Sequence, residues 1–319
     1  MIIRLSDASD RDVILRFIAE MGFNPRDAAT WDSLNMVAMT AWEGSKLIGA
    51  IPLEPRILQI GGGSSVKTVH ETVVAMHPEW RGRRVGSQLQ DAILKERPND
   101  AELATVFREK PESAAYQWYR RNNFSVVVHV ESWFADPTAA IGRGDRFELI
   151  AASNIGKYWD AIEALRGEAM GAVPGLIGRR WRPLHEWLES HPYHARYAFY
   201  IVMRWNGGVL AEYALLGVGK MHSETLRADV LEFCPVNDQP ERGRALIDCV
   251  LEAALENNWS PVRWPLATSD PMTQVAADLG FKAQWGFDIM ARALTPAAGH
   301  LLDTAVKATV WRYAGIDYA

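Results

Sequence analysis

Cysteine is nearly absent from this chain, since Cys234 and Cys249 are the only two in 319 residues. Two cysteines cannot form the disulfide framework of a small secreted domain, so a reducing, cytoplasmic location is expected. Long apolar runs are missing as well. The sequence contains no run of about 18 apolar residues, the length needed to span a bilayer. The start MIIRLSDASDRDV contains no apolar signal-peptide core.

An excess of positive charge is also missing, because the formal net charge is −5. Without a basic bias, neither nucleic acid nor a membrane surface is an expected partner. Apolar residues make up 48% of the chain and charged residues 23%, which is ordinary for a globular protein. The length suits two domains of about 150 residues each.

The first half alternates between strand and helix patterns in the order βααβββαβαβ. Residues 68–76 are β-branched and apolar and predict a strand. Residues 86–95 predict a helix with one apolar side. A strand over 103–107 and a helix over 112–121 follow.

Residues 135–145, ADPTAAIGRGD, combine small residues, proline and glycine without apolar periodicity, which indicates a linker. After this stretch the same order of elements begins again, and corresponding late elements lie about equally far apart in both halves. This repetition predicts a duplicated domain rather than a solenoid. The expected division is 1–136, a linker at 137–145, and 146–319 with a C-terminal extension.

The loop HPEWRGRRVG lies between the predicted strand 68–76 and the predicted helix that follows it. Backbone N–H groups at a helix start lack intrahelical partners and favour anions. Gly82 and Gly86 allow a ligand to approach the backbone closely, and Arg81, Arg83 and Arg84 add positive charge. Arginines at a helix start oppose the helix dipole, so the pattern favours a bound anion over a solvated basic turn.

The stretch VVAMHPEWRGRRVGSQL resembles the coenzyme A signature of the GNAT N-acyltransferase superfamily. Arg81, Gly86 and Leu89 match that signature, whereas Arg84 stands where the family usually has its first glycine. This substitution affects how closely the backbone turn can approach the pyrophosphate of coenzyme A.

The stretch SAAYQWYRRNNF resembles a second GNAT motif through Ala115, Tyr119 and Phe124. Asn123 replaces the motif's glycine, a mild change because asparagine tolerates positive φ. The resemblance covers residues 1 to about 135. It implies an α/β (α+β) fold in which each domain has a mixed, mostly antiparallel sheet, one splayed pair of parallel strands and flanking helices.

The resemblance further implies acetyl-CoA or another acyl-CoA as cosubstrate and no metal. The acyl group would pass to a primary amine of a small molecule or peptide by direct attack in a ternary complex, since residues 1–233 contain no cysteine to carry it. The expected cosubstrate contacts are Val74, Met76, Arg81, Gly82, Arg83, Arg84, Val85, Gly86 and Ser87.

The same resemblance implies Tyr119 as the general acid for the leaving thiolate, with packing on a helix face as its alternative role. Glu71, ten residues before Arg81, is the first candidate for the base, acting through water. A plain solvent-facing position is equally compatible with that glutamate. His70, which should point to the opposite face of the strand, and His77 are the lesser candidates.

The second half is expected to be an inactive copy with a single working site left in the first half. Pro240 interrupts its signature region, and Ala276 stands where the acid tyrosine should be. Together with the substitution at Arg84, this degeneracy makes a non-catalytic acyl-CoA sensor the alternative function. No pattern in the sequence identifies the acceptor amine or the oligomeric state.

Overall fold

The structure is a computed structural model that describes residues 1–23, 28–60, 64–109, 111–138, 147–172, 175–179, 188, 197–220, 225–235, 240–306 and 312–313. Most of the predicted linker at 137–145 and most of residues 173–196 lie outside the described residues. The helices of the described part are α1 (Arg11–Glu20), α2 (Ala28–Ser33), α3 (Val85–Glu96), α4 (Ala114–Arg121), α5 (Trp159–Ala172), α6 (Pro240–Glu256), α7 (Met272–Asp278) and α8 (Pro296–Val306).

The strands are β1 (Ile2–Leu5), β2 (Val37–Glu43), β3 (Lys46–Ile60), β4 (Ser64–Glu71), β5 (Ala75–Met76), β6 (Leu103–Arg108), β7 (Ser125–Ala135), β8 (Phe147–Ala151), β9 (Gly175–Arg179), β10 (Ala198–Asn206), β11 (Val209–Gly219), β12 (Arg227–Pro235), β13 (Val262–Ala267), β14 (Lys282–Ala293) and β15 (Arg312–Tyr313). Short 3₁₀ turns occur at Ala8–Asp10, Pro78–Trp80, Pro98–Asp100, Ala152–Asn154 and Gly156–Tyr158.

The chain divides into two compact units that are discontinuous in sequence. The first unit comprises Met1–Leu58, Ser65–Val127 and Asp288–Val306, and the second comprises Gln59–Ser64, Val128–Phe287 and Lys307–Ala319. This differs from the contiguous division expected around residues 137–145, because the end of β14 pairs with β6 while β7 pairs with β13. The roles assigned to residues 1–136 and 146–319 stay predictions.

The sheet of the first unit has the strand order β1-β2-β3-β4-β6-β14. Strands β4 and β6 run parallel, whereas β1/β2, β2/β3 and β6/β14 are antiparallel. Helices cover both faces of this sheet. Neighbouring residues of a strand point to opposite faces and therefore pack against different helices. Met39 packs in the cluster that contains α3 and α4, and Ala38 packs in the cluster that contains α1 and α2.

The second unit has the strand order β7-β13-β12-β11-β10-β8. Its one parallel pair among the described strands of this path is β12/β13, which corresponds to β4/β6 of the first unit. Strands β8, β10, β11 and β12 pair antiparallel. The predicted fold class, a mixed sheet with a parallel strand pair and flanking helices, is therefore confirmed.

One strand and one helix are among the elements that differ from the sequence predictions. The strand expected over 68–76 is interrupted at residues 72–74. The Thr72 N–H donates to the Pro52 carbonyl (3.2 Å), whereas Ala75 and Met76 pair with β3 in a register shifted by one residue from that bond. Helix α8 was not predicted. No helix in the described ranges is both long and apolar enough to cross a membrane.

Candidate active site

The parallel strands β4 and β6 separate after a short paired stretch. Their register joins Thr68 to Leu103, Val69 to Ala104 and His70 to Thr105. Beyond this point β6 continues to Arg108 and pairs on its other edge with β14. The divergence leaves an opening between the two strands, and Glu71 is the first residue of β4 at this opening.

Peptide groups of β5 face the opening. Ala75 pairs with Ala50 of β3, and the His77 N–H donates to the Ile48 carbonyl at 2.9 Å. Because successive peptide groups of a strand alternate between its two edges, those of Met76 point away from β3. Val74 is half-buried against the core beside α3 and α4. A pantetheine arm in the opening would meet the backbone of these two predicted contact residues.

Helix α3 begins directly after the basic loop and lacks a side-chain cap. Its N-cap, Arg84, has φ 62° and ψ 10° and makes no capping hydrogen bond. This left-handed conformation explains why a glycine is usual at this position, since a side chain costs free energy there. Gly82 also has a positive φ of 77°. The N–H groups of Val85, Gly86 and Ser87 at this uncapped helix start are suited to an anion.

The three arginines of the loop are exposed. Arg83 lies over the Trp80 ring, 5.2 Å from its centroid, and Arg81 donates from Nε to the Met76 carbonyl at 3.3 Å. Gly86 also packs closely against α4, and its predicted contact with the cosubstrate stays a prediction. A Cβ there would lie 3.2 Å from Cζ2 of Trp118, so a larger residue would crowd the packing between α3 and α4.

Glu71 is fully buried and held by an amide from α3. The Gln90 Nε2 atom lies 2.8 Å from Oε1 and 2.7 Å from Oε2 of the carboxylate. Burial raises the pKa of Glu71 to about 7, although the hydrogen bonds and the nearby guanidinium groups of Arg108 and Arg292 lower it. The solvent-facing alternative for this glutamate is therefore wrong.

Tyr119, on α4, joins the same buried group. Its hydroxyl hydrogen-bonds to the Glu71 carboxylate and accepts from Nη2 of Arg108 at 2.9 Å. The Arg108 guanidinium also lies 4.4 Å from the ring centroid. Burial and the Glu71 charge raise the pKa of Tyr119 well above its ordinary value. The two residues that the sequence suggested as separate acid and base are thus direct neighbours.

The last strand of the first unit adds two residues that sequence reasoning missed. Arg292 donates from Nη1 to the backbone and side-chain oxygens of Gln90, both at 3.5 Å. Asp288 accepts a hydrogen bond of 2.6 Å from the Tyr116 hydroxyl, and burial together with this carboxylate raises the pKa of Tyr116 to about 12. Both residues lie about 200 positions from the motifs, beyond the reach of local patterns.

The two histidines are not part of this group. His70 points to the other side of β4, where Nδ1 lies 3.1 Å from Oγ1 of Thr105 and the ring is 4.4 Å from Phe107. His77 lies 3.7 Å from the exposed Glu79 carboxylate. Among the described residues, no group of three or more His, Cys, Asp or Glu side chains is placed to hold a metal ion.

In the second unit the counterpart of the acid position, Ala276, is fully buried in an apolar cluster. Cys234 and Cys249 are buried free cysteines. The loop before α6 lies outside the described part of the chain. Whether this unit is an inactive copy stays a prediction.

Comparison with known proteins supports the assignment of the motifs. Residues 37–126 match the family model described as acetyltransferase (GNAT) domain. No curated protein matches the chain.

Solved structures resemble the chain over nearly its whole length. A GCN5-related N-acetyltransferase from Anabaena variabilis ATCC 29413 is 12% identical, with a TM-score of 0.69 over 92% of this chain and 73% of its own. Eis1 from Mycobacterium abscessus is 18% identical, with a TM-score of 0.68 over 95% and 76%. A tandem GNAT protein from the clavulanic acid biosynthesis pathway is 15% identical, with a TM-score of 0.60 over 92% and 99%. Residues 37–126 are therefore a GNAT domain, and the fold of the chain is that of GNAT proteins, including one with two such domains in tandem.

Proposed function

We propose that this protein is an N-acyltransferase that moves an acyl group, most simply acetyl, from acyl-CoA to a primary amine. The buried group of Glu71, Tyr119 and Arg108 at the opening between β4 and β6 carries this proposal. A carboxylate with a pKa near 7 beside a phenol gives one site both a base and an acid.

The first unit fits an acyl-CoA. The uncapped start of α3 and the exposed Arg81, Arg83 and Arg84 suit its phosphates. The peptide groups of Met76, which face the opening, suit the amides of a pantetheine arm. The thioester would then lie at the level of Glu71 and Tyr119.

Glu71 is proposed to receive the proton of the attacking amine, directly or through one water molecule. The amine nitrogen forms a bond to the acyl carbon, and the proton it loses passes to the carboxylate. With a pKa of about 7, Glu71 is ionised in a large fraction of molecules at neutral pH, so it can accept this proton without an external base.

Protonation of Glu71 also prepares Tyr119 as the acid. While Glu71 is ionised, its charge raises the pKa of Tyr119 and engages the hydroxyl. Once the carboxyl group is neutral, that charge is gone and the Tyr119 proton can pass to the departing thiolate as the carbon–sulfur bond breaks. Arg108 stabilises the resulting phenolate from 2.9 Å, and Glu71 returns its proton to the phenolate, which closes the cycle.

The test is release of free thiol from acetyl-CoA in the presence of a panel of primary amines. Tyr119→Phe and Glu71→Gln should each lower kcat by about 10²- to 10⁴-fold, the range of general acid–base catalysis. Tyr116→Phe is the matched control, since that hydroxyl lies on the same helix but binds Asp288. Acetyl-CoA binding without turnover on every amine would instead make the protein a non-catalytic acyl-CoA sensor.

A further inference from the structure

We propose that the first unit contains a second ligand site, a pocket of about 470 Å³ in which Arg292 binds a small oxyanion such as a carboxylate or phosphate. The pocket is formed by the end of α3, the end of β14 and one side of α8. Its volume lies within the range of small-molecule sites.

The pocket is separate from the opening that suits acyl-CoA. Arg292 and Ala293 pair with Ala104 and Leu103 at the beginning of β6, whereas the opening lies beyond Thr105. The pocket contacts α3 at Leu94, nine residues from the helix start, which is about 13 Å along the helix. An anion in this pocket would therefore not be the pyrophosphate at the start of α3.

Arg292 is a buried charge without a close counter-ion among the described residues. Its exposed fraction is 7%, and its hydrogen bonds to Gln90 are both long, at 3.5 Å. Within the described ranges, no carboxylate lies within 4.0 Å of its guanidinium. Its charge acts on Glu71, but that carboxylate is already bound by Gln90 and Tyr119. A buried charge is unfavourable unless it is paired, so an oxyanion from solution would complete the site.

The chemistry of the pocket favours a planar or tetrahedral oxyanion. A guanidinium presents several N–H donors in a fixed fork that matches two oxygens of such a group. Asp303 and His300 also line the pocket but are exposed. The Asp303 carboxylate opposes an anion from the solvent side, which makes its removal a sensitive test.

The experiment measures binding of inorganic phosphate and of acetate to the full chain by calorimetry at constant ionic strength, with chloride as reference. Every protein in this experiment, including the parent, also carries Arg81→Gln, Arg83→Gln and Arg84→Gln, which weaken anion binding at the start of α3. Arg292→Gln should weaken binding at least tenfold. Arg121→Gln, an exposed arginine on α4, is the matched control and should change nothing.

A second pair of variants tests the pocket without changing the arginine. Gly299 lines the pocket, and among the described residues an added Cβ would meet only the Ala293 Cβ, at 3.9 Å. Gly299→Leu should block binding and Gly299→Ala should not, whereas Asp303→Asn should tighten it severalfold. A comparison of phosphate with acetate shows whether the pocket prefers a phosphate or a carboxylate group. Equal binding by Arg292→Gln, Gly299→Leu and the parent protein, or no binding of either ion to the parent, would overturn the proposal.

Discussion

At the scale of single residues, the burial of Glu71 has a measurable effect on stability. Its pKa is raised from 4.5 to about 7 in the folded protein, so the folded state binds more protons than the unfolded state between these values. The free energy of unfolding should therefore fall by about 3 kcal/mol as the pH rises from 4.5 to 7 and be constant above it. Urea unfolding at several pH values should show this loss in the parent and not in Glu71→Gln. Parallel curves for the two proteins would contradict it.

Gln90 lowers the pKa of the same carboxylate, against the larger effect of burial. Its Nε2 donates to both oxygens of Glu71, which favours the ionised form. In Gln90→Leu the pKa of Glu71 should rise above about 7 by at least about one unit, because a hydrogen bond to a charged group contributes roughly 1.5–3 kcal/mol. If Glu71 is the base, the rise of kcat/KM with pH should move to higher pH by the same amount. Asp91→Asn, on the exposed side of α3, should leave the profile unchanged, and identical profiles for both variants would count against the role of Gln90.

At the scale of elements, backbone strain occurs at the start of α3, where the phosphates of acyl-CoA are proposed to bind. The backbone of Arg84 adopts the left-handed conformation, which lowers the stability of the folded protein by about 1–2 kcal/mol for an L-residue. Arg84→Gly and Arg84→Ala both remove the charge, but only the glycine relieves the strain. Thermal or urea unfolding should make Arg84→Gly more stable than Arg84→Ala by about 1 kcal/mol, while both raise the KM for acetyl-CoA alike. Equal stability of the two variants would show that the turn relaxes.

Local patterns predicted most elements of the fold. The apolar positions of α3, Val85, Leu89 and Ile93, are buried as their spacing indicates, and the motif at Tyr119 gave the residue now found beside Glu71. The interruption of the strand at residues 72–74 could not be predicted, because it depends on pairing with β3. Gln90 was visible only as a polar residue on an apolar helix face.

Long-range parts of the site were beyond sequence reasoning for a different reason. Arg292 reaches Gln90 because β14 pairs with β6, and strand pairing between segments nearly 200 residues apart leaves no local signal. The buried environment of Glu71 likewise follows from tertiary packing. A glutamate in a β-branched strand is compatible with solvent, a base or a buried partner, and only the arrangement of α3 and α4 decides between them.

At the scale of the whole molecule, the first unit needs strand β14, which follows long after the rest of that unit in the sequence. Residues Asp288–Ala293 pair with Leu103–Arg108, and Met290 and Leu294 belong to the core beside α3 and α4. A fragment of residues 1–136 should therefore fail to fold cooperatively. Circular dichroism and urea unfolding should show no two-state transition for it.

A matched polypeptide joins residues 1–127 to 286–306 through a flexible linker. It restores the missing strand and should recover a cooperative transition, together with binding of acetyl-CoA if the proposed function is right. A stably folded 1–136 fragment would contradict the importance of β14 for the first unit.

The discontinuous first unit also has a consequence for synthesis of the protein. Strand β6 ends at Arg108, and its partner begins at Asp288, about 180 residues later. At roughly 5–20 residues per second, a ribosome needs about 10–35 s to make the intervening chain. During that time one edge of β6 has no partner, and an unpaired strand edge invites aggregation. Nascent chains should therefore depend on chaperones until β14 has been synthesised and can pair with β6.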